Sequence, residues 1–460
     1  MTHAPVVVRP VQVAPSTLLA LHARHPDRYP ALFESAAAGS VRGQHDILFA
    51  FPGERLTLHP DGRLIDARGR ISHEQFLDGL DRWWLQTART ATAGSLPFSG
   101  GWLIYLGYEL AAQIEARLRF KGNVSGPVAQ AIRIRAAIVR EHANGRAWIL
   151  AEGDSTQLLD AMEQDLAAQP ELAAWPLDLS LLQGEVAEDP PDDYLRAIDR
   201  ALEYIAAGDI YQANLSRAWR ASLAPAVSPH HVYQRLRQTN PGPFSGLAIV
   251  DDIAIVSSSP ERLVSVRNGI IETRPIAGTR PRGIDAQTDG ALARELHSNL
   301  KERAEHVMLI DLERNDLGRV CEAGSVEVNE FMTIESYAHV HHIVSNVRGR
   351  LRSQVTPGQS LAAVFPGGTI TGCPKVRCME LIAELEHTTR GAYTGSLGYL
   401  NHDGSMDFNI LIRSLQIANG TITLRAGAGI VADSIPENEL AESRAKALGV
   451  LRALSQSSTE

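Results

Sequence analysis

Apolar positions recur along this chain with two periods. In its first third, HDILFAFPG (45–53), RLTLHPDGRLI (55–65), GWLIYLGYEL (101–110) and IRAAIVREHANGRAWILAEG (134–153) are short apolar runs bounded by turn residues. That pattern predicts strands and hairpins of an antiparallel sheet. Beyond about residue 190 a helical period appears. DDYLRAIDRALEYIAAGD (192–209) sets Leu195, Ile198, Leu202 and Ile205 on one face and ends near Gly208. ALARELHSNLKERAEHVMLIDLERND (291–316) predicts one long helix with Leu292, Leu296 and Leu300 as a stripe. The stretches 246–275 and 395–432 read as meanders of hairpin strands. Strands and helices do not alternate strictly. The pattern therefore predicts an α/β fold of the α+β type, with antiparallel sheets and helices packed outside them. Residues 167–193, rich in Pro, Ala and acid, read as a connector between an N-terminal part (1–180) and a C-terminal part (190–455).

Composition narrows the function classes. Apolar residues make up 44% and charged residues 21%, ordinary for a soluble globular protein. The net charge of −9 argues against a general nucleic-acid binder, so an anionic ligand has to be met by local positive charge. No apolar run reaches the roughly 18 residues that span a membrane. MTHAPVVVRPVQVAP lacks the basic and long apolar regions of a secretory signal. The three cysteines, Cys321, Cys373 and Cys378, are too few for a disulfide scaffold, so a reducing cytoplasm is expected.

Several stretches carry candidate chemistry. TRPIAGTRPRG (273–283) holds two prolines, two glycines and three arginines. No regular helix or central strand accommodates it, so it reads as a shaped, positively charged loop: a solvated turn or the grip on an anion. Glu302 and Glu305 lie three apart on one helix, and Glu439 and Glu442 lie three apart on another. Each pair shares a helix face. Two such faces opposed would make an all-oxygen site suited to Mg²⁺, against the plainer reading of solvated faces with Glu442 and Lys446 as a surface pair. The last helix is expected to start with Ser434 as N-cap, Pro436 in its first turn and Glu437 completing a capping box. His339 and His341 in HVHH would share a strand face, which permits zinc, but no further ligands have matching spacing and a single hydrogen-bonding histidine is preferred. AGAGIVA (426–432) matches a dinucleotide turn, but that motif must open a helix at once and here DSIP intervenes. Its glycines more simply let backbone N–H groups approach an anion. FPGGTITGCPKVRCMELIAELE (365–386) runs a glycine-rich loop into a helix. No P-loop, G-x-S-x-G or G-x-C-x-G elbow is present, so no glutamine-hydrolysing machinery of its own is expected.

Taken in order, GDIYQANLSR, SSSPERL, RPIAGTRPRG, EHVMLIDLERNDLGRV, HHIVSNVRGRL, FPGGTITGCPKVRCMELIAELE, YTGSLGY, NILIRSLQ and AGAGIVADSIPENELAESRAK resemble one family over about residues 190–455: the chorismate-utilising enzymes. LFES (32–35) and GYEL (107–110) extend the resemblance more loosely. The resemblance implies two large antiparallel sheets packed near-orthogonally, with helices outside and the site between. It implies that Glu305 and Glu442 bind Mg²⁺, with Glu302 and Glu439 supporting through water, and that the metal holds the ring carboxylate of chorismate. Glu261 is then the general acid and His342 the histidine beside the same leaving hydroxyl. Tyr393, Arg413, Gly427, Gly429 and Lys446 form the cradle for the enolpyruvyl carboxylate. Gly278 and Thr279 complete substrate binding, and Thr369 lines the pocket. Relatives also hold tryptophan, which places a pocket at Glu34 and Ser35.

The branch turns on two positions. Water-using relatives carry a lysine base where this chain has Gln212, and an amide is no base at neutral pH. Ammonia from a separate glutamine amidotransferase subunit is therefore the expected nucleophile. YQANLS, PGPFSGLAI, FPGGTITG and GSMDFNILIRSL resemble the aminodeoxychorismate branch, which aminates C4. Ala277 stands against this, because many members of that branch have lysine there and read PIKGT. Amination at C4 is the expectation, and amination at C2, the anthranilate route, is the alternative.

Overall fold

The computed structural model describes residues 6–35, 45–88, 96–168, 180–337 and 340–455. Twenty-two strands among these residues pair antiparallel throughout and join into one continuous hydrogen-bonded network, with helices packed against it. The mixed helix and antiparallel-sheet class is as expected. The two expected sheets are not separate hydrogen-bonded units. The predicted hairpins form: Ala129–Glu141 with Ala147–Ala151, Phe244–Val250 with Ile253–Ser259, and Ser396–Asn401 with Met406–Asn409. Strands from the two ends of the chain are direct neighbours. Ala31–Glu34 pairs with Phe244–Val250, and Gly101–Leu106 with Ser396–Asn401. The largest core cluster draws on both, for example Trp102 and Tyr108 with Leu263 and Phe408.

One strand pair sets the geometry of the C-terminal part. Gln212–Leu223 runs against Thr421–Ile430 in unbroken register from Ala213↔Ile430 to Ser222↔Thr421. Gly427 sits so close to its neighbour that a Cβ there would lie 2.0 Å from the carbonyl oxygen of Leu215. The strand Ser414–Ala418 covers the other edge of Thr421–Ile430 only as far as Leu424. Beyond that point the edge is open, and Gly427 and Gly429 present bare backbone along it.

Four local expectations change. The helix predicted through 291–316 is two helices, Ala286–Ser298 and Leu300–Gly318. Asn299 breaks it, its side-chain oxygen accepting from the N–H groups of Lys301 and Glu302 as an N-cap. Leu296 is buried but Leu300 is exposed, so the leucine stripe does not continue. The last helix spans Pro436–Leu454 with Ile435 at its N-cap and no side-chain cap. Ser434 instead turns back and accepts the N–H of Val431 at 3.0 Å. Part of TRPIAGTRPRG is an edge strand, Ile276–Pro281, paired with Val340–Arg350 and bulged between Ala277 and Thr279. Gly278 at the bulge has φ +65°, where glycine alone is unstrained. The connector lies partly outside the described residues, at 169–179, and its end is the strand Leu182–Glu188 on the Gln212–Leu223 edge. The helix Pro191–Ala206 forms as predicted, with Ile198 fully buried.

Gly101 stands at φ +144° and a Cβ there would lie 2.0 Å from the carbonyl oxygen of Leu400. Gly101→Ala is expected to destabilise the protein by about 3 kcal/mol in a denaturant titration. Gly420→Ala, at φ +72° with open space around it, is expected to cost about 1 kcal/mol.

Candidate active site

A cavity of about 760 Å³ opens between the helices Leu300–Gly318 and Pro436–Leu454, the open edge of Thr421–Ile430 and the bulged strand Ile276–Pro281. The fold brings together there residues far apart in sequence. Glu302 and Glu305 come from the first helix, and Glu439, Glu442 and Lys446 from the second. Ala277, Gly278 and Thr279 come from the bulge, Gln212 from the start of its strand, and Gly427 and Gly429 from the open edge. Glu261, His342, Thr369, Tyr393 and Arg413 close the walls.

Burial tunes two of these groups in opposite directions. Glu261 is buried, and burial pushes its carboxyl up to about 7, although Thr369, the Ile276 backbone, Arg413 and Lys446 pull the other way. The Thr369 hydroxyl faces it without completing a hydrogen bond. Glu261 is therefore a proton carrier near neutrality. His342 is pushed down to about 4 by burial and by Arg413, so it is neutral. Its Nδ1 lies 2.9 Å from Thr279 Oγ and 3.3 Å from the carbonyl oxygen of Gly278. A carbonyl only accepts, so Nδ1 carries the proton. Nε2, buried and without a partner among the described residues, keeps its lone pair for whatever enters.

The cationic side is ready for an anion. Arg413 has a left-handed backbone, φ 51°. Its guanidinium has no hydrogen-bond or ion-pair partner among the described residues, and burial lowers its affinity for the proton. A half-buried cation left this way on the cavity wall is free to take an anion. The buried Tyr393 lines the same cavity. Lys446 Nζ holds Glu442 Oε1 at 2.7 Å, and Arg280 Nη1 holds Glu302 Oε1 at 3.3 Å.

The four helix glutamates offer only hard oxygen donors. Among the described residues no three His, Cys, Asp or Glu side chains are gathered closely enough to enclose a metal by themselves. Magnesium does not require that, since it usually takes one or two carboxylates and keeps water or substrate oxygens. Burial raises Glu305, and Glu302 and Glu442 raise it further, while Gln212 and Lys446 oppose them. Burial and Glu442 likewise raise Glu439. A divalent cation between the helices would relieve this crowding, so the residues fit Mg²⁺. Gln212 Nε2 donates to Glu305 Oε1 at 2.8 Å, leaving its Oε1 without a partner. Gly429 leaves room for that amide, because a Cβ there would lie 2.4 Å from Gln212 Nε2.

Other expectations resolve differently. His341 spends both ring nitrogens, on Ser336 Oγ at 2.7 Å and Asp289 Oδ1 at 2.9 Å, as a hydrogen-bonding histidine. His339 lies outside the described residues. AGAGIVA continues a strand to Ile430, and the next helix starts only at Pro436, so the dinucleotide reading fails. Glu34 and Ser35 lie away from the cavity. Glu34 is pushed up to about 7 by burial and accepts from Tyr233 at 2.7 Å, with Arg237 at 3.1 Å. The Ser35 hydroxyl is buried without a partner among the described residues. Asn214, Lys301, Tyr337 and Arg425 line the cavity unforeseen as site residues. Burial pushes Glu386 up, but Arg390 and Arg425 outweigh it and hold the carboxylate below its usual range. The only sequence signal for that cluster is the i, i+4 pair Glu386 and Arg390.

A carboxyl with a raised native pKa destabilises the fold as pH rises above its unfolded value, and the penalty is complete above the native value. For Glu261 that window runs from the ordinary carboxyl range to about 7. Glu261→Gln is therefore expected to melt higher than the parent at pH 8, by roughly 3 kcal/mol, with the gain fading towards pH 4. A gain independent of pH would contradict the assignment.

The sequence model of the chorismate binding enzyme family matches residues 33–452. The chain is 42% identical over 386 residues to aminodeoxychorismate synthase component 1 of Bacillus subtilis strain 168, covering 82% of each chain. It is 40% identical over 384 residues to anthranilate synthase component 1 of Pseudomonas aeruginosa, covering 79% of this chain and 77% of that one. Its fold matches anthranilate synthase component I of Streptococcus pneumoniae TIGR4 with a TM-score of 0.79 at 32% identity, over 89% of this chain and 93% of that one. By the family model and these identities, this chain belongs to the chorismate-binding enzymes.

Proposed function

We propose that the protein is the chorismate-aminating component of an aminodeoxychorismate synthase, converting chorismate and ammonia to 4-amino-4-deoxychorismate. The observation that supports this most is the gathering, in one cavity, of a proton carrier, a half-buried arginine with no side-chain partner among the described residues and two glutamate pairs, in a chain 42% identical to such a component. Residues 190–455 carry the reaction, the described residues of the N-terminal part (1–180) pack against them, and tryptophan would bind at Glu34 and Ser35. A reducing cytoplasm suits three free cysteines. Among the described residues no helix is long and apolar enough to cross a membrane.

Chorismate carries two carboxylates, and the cavity offers two places for them. Mg²⁺, where bound, would be held by Glu305 and Glu442, with Glu302 and Glu439 acting through water, and would supply charge to the ring carboxylate. Arg413, Tyr393 and the open edge at Gly427 and Gly429 receive the enolpyruvyl carboxylate. Lys446 leaves Glu442 and turns to that second carboxylate. Glu261, protonated near neutrality, gives its proton to the departing hydroxyl, and His342 Nε2 accepts a hydrogen bond from it. Gln212 is tied to Glu305 and cannot activate water, so the nucleophile is ammonia, delivered by a separate glutamine amidotransferase. Ala277 lies buried on the wall, and its methyl group cannot add to the ring. Amination at C4 then proceeds without a covalent lysine.

Ala277 is also the observation that favours a second reading, amination at C2 to give anthranilate, and the relative from Pseudomonas aeruginosa is named for that product. Purified protein given chorismate, Mg²⁺ and ammonium salt separates the two by product mass and NMR. The expected product is the 4-amino compound, and anthranilate or its 2-amino precursor would overturn the C4 assignment. Glu305→Gln and Glu442→Gln are each expected to lower kcat/KM by roughly a hundredfold or more, in line with the several kcal/mol that a metal's charge supplies. Unchanged rates in both variants would remove the metal from the account.

A further inference from the structure

One buried polar contact lies behind the cavity and takes no part in lining it. The helix Leu300–Gly318 presents Glu302 and Glu305 to the cavity. The next residue, His306, lies about 100° further round the helix axis and is fully buried. Its Nε2 lies 2.7 Å from the hydroxyl of Ser345. The same hydroxyl accepts the backbone N–H of Met332 at 2.9 Å. The bond between the Ser345 hydroxyl and His306 Nε2 forms with either imidazole tautomer, because the hydroxyl can donate once and accept twice. His306 Nδ1 has no partner among the described residues. Leucine or methionine would fill this space without stranding a ring nitrogen, so packing alone does not account for His306.

The contact ties three segments together. Met332 stands at φ +51° in a bulge of the strand Glu327–Ser336, between the pairs Glu330↔Asn346 and Thr333↔Val344. The bulge takes its N–H out of the ladder and hands it to Ser345. The backbone N–H of Ser345 reaches the carbonyl oxygen of Pro275 at 3.3 Å, at the entry to the strand that carries Ala277 and Gly278. Ser345 and His342 are an odd number of residues apart on one strand and face opposite sides of it, and His342 lines the cavity. Glu302 packs against the bulge so closely that a Cβ on Gly278 would come within 2.8 Å of its Oε2.

We infer that His306 and Ser345 are positioning residues, whose hydrogen bond fixes the rotation of the Leu300–Gly318 helix and so sets Glu302 and Glu305 against His342 and the Gly278 bulge. This rests on the reading of the glutamates as the metal side of a chorismate site. A functional constellation tolerates errors of only about 0.5 Å and 10–20°, and a freed helix exceeds that easily.

The test is Mn²⁺ binding, read from the free-ion EPR signal with chorismate present, in the full chain and in His306→Leu, Ser345→Ala, the double variant and His306→Gln. His306→Leu and Ser345→Ala are each expected to weaken Mn²⁺ binding about tenfold, with kcat at saturating metal changed far less. The double variant is expected to lose no more than either single one, because the two residues act through one bond. His306→Gln, which keeps an acceptor at that reach, restores most of the loss. Unchanged Mn²⁺ binding, or losses that add, would overturn the inference. Should His306→Leu fail to fold, Ser345→Ala, which removes a single oxygen, carries the comparison. Imidazole ¹⁵N shifts test the bond without turnover: the His306 Nε2 resonance is expected to move on Ser345→Ala, and an unchanged resonance overturns it. A parent protein that binds Mn²⁺ but does not consume chorismate would overturn the proposed function and leave the positioning role intact. A parent protein that binds no Mn²⁺ would overturn both the metal assignment and the inference.

Discussion

Repulsion between carboxylates is the constraint on which this structure turns. Glu302, Glu305, Glu439 and Glu442 face one another across a single cavity, with Glu261 in its wall. Burial and the neighbouring carboxylates together raise Glu305 and Glu439, and such crowding is tolerated only with compensation. The compensation within the protein is partial: Lys446 on Glu442, Arg280 on Glu302 and the Gln212 amide on Glu305. On the proposed reading, a divalent cation would relieve the glutamates, and a dicarboxylate would meet both that cation and Arg413. That complementarity explains why so polar a cavity survives in the middle of the fold.

The scaffold holds this tension because its walls are rigid for independent reasons. The unbroken ladder between Gln212–Leu223 and Thr421–Ile430 fixes Gln212 beside Gly429. Both strands rest on the cluster of Glu386, Arg390, Arg425 and Ser216, a buried and hydrogen-bonded charge network. The bulge at Gly278 bends the edge strand so that its backbone carbonyl meets His342 and its open face meets Glu302. Burial then differentiates the titrating groups, raising Glu261 and lowering His342 so that one holds a proton and the other holds a lone pair at the same pH.

The hairpins were legible because apolar runs broken by Asn-Gly, Asp-Gly and Asp-Asp admit few other folds. Spacing showed only that each glutamate pair shares a helix face, which a solvated surface would equally allow. What lies opposite was not legible: Glu305 and Glu442 are separated by more than a hundred residues, and only the family resemblance joined them. The break at Asn299 was missed because the leucine stripe runs through it, and the cap that causes it is a local hydrogen bond that competes with apolar periodicity. Ser434 was misjudged because serine can turn back onto the preceding loop as readily as forward onto a helix. Asn214, Tyr337 and Arg425 were not foreseen as wall residues, because the contacts that bring them to the cavity are long-range.

The most direct measurement is the position of Mn²⁺ by anomalous diffraction from crystals grown with chorismate or an unreactive analogue. The account predicts one strong peak within coordination distance of Glu305 and Glu442, with the ring carboxylate on its open side and Lys446 drawn away from Glu442. A peak elsewhere, or a substrate carboxylate bound while Lys446 still holds Glu442, would contradict it.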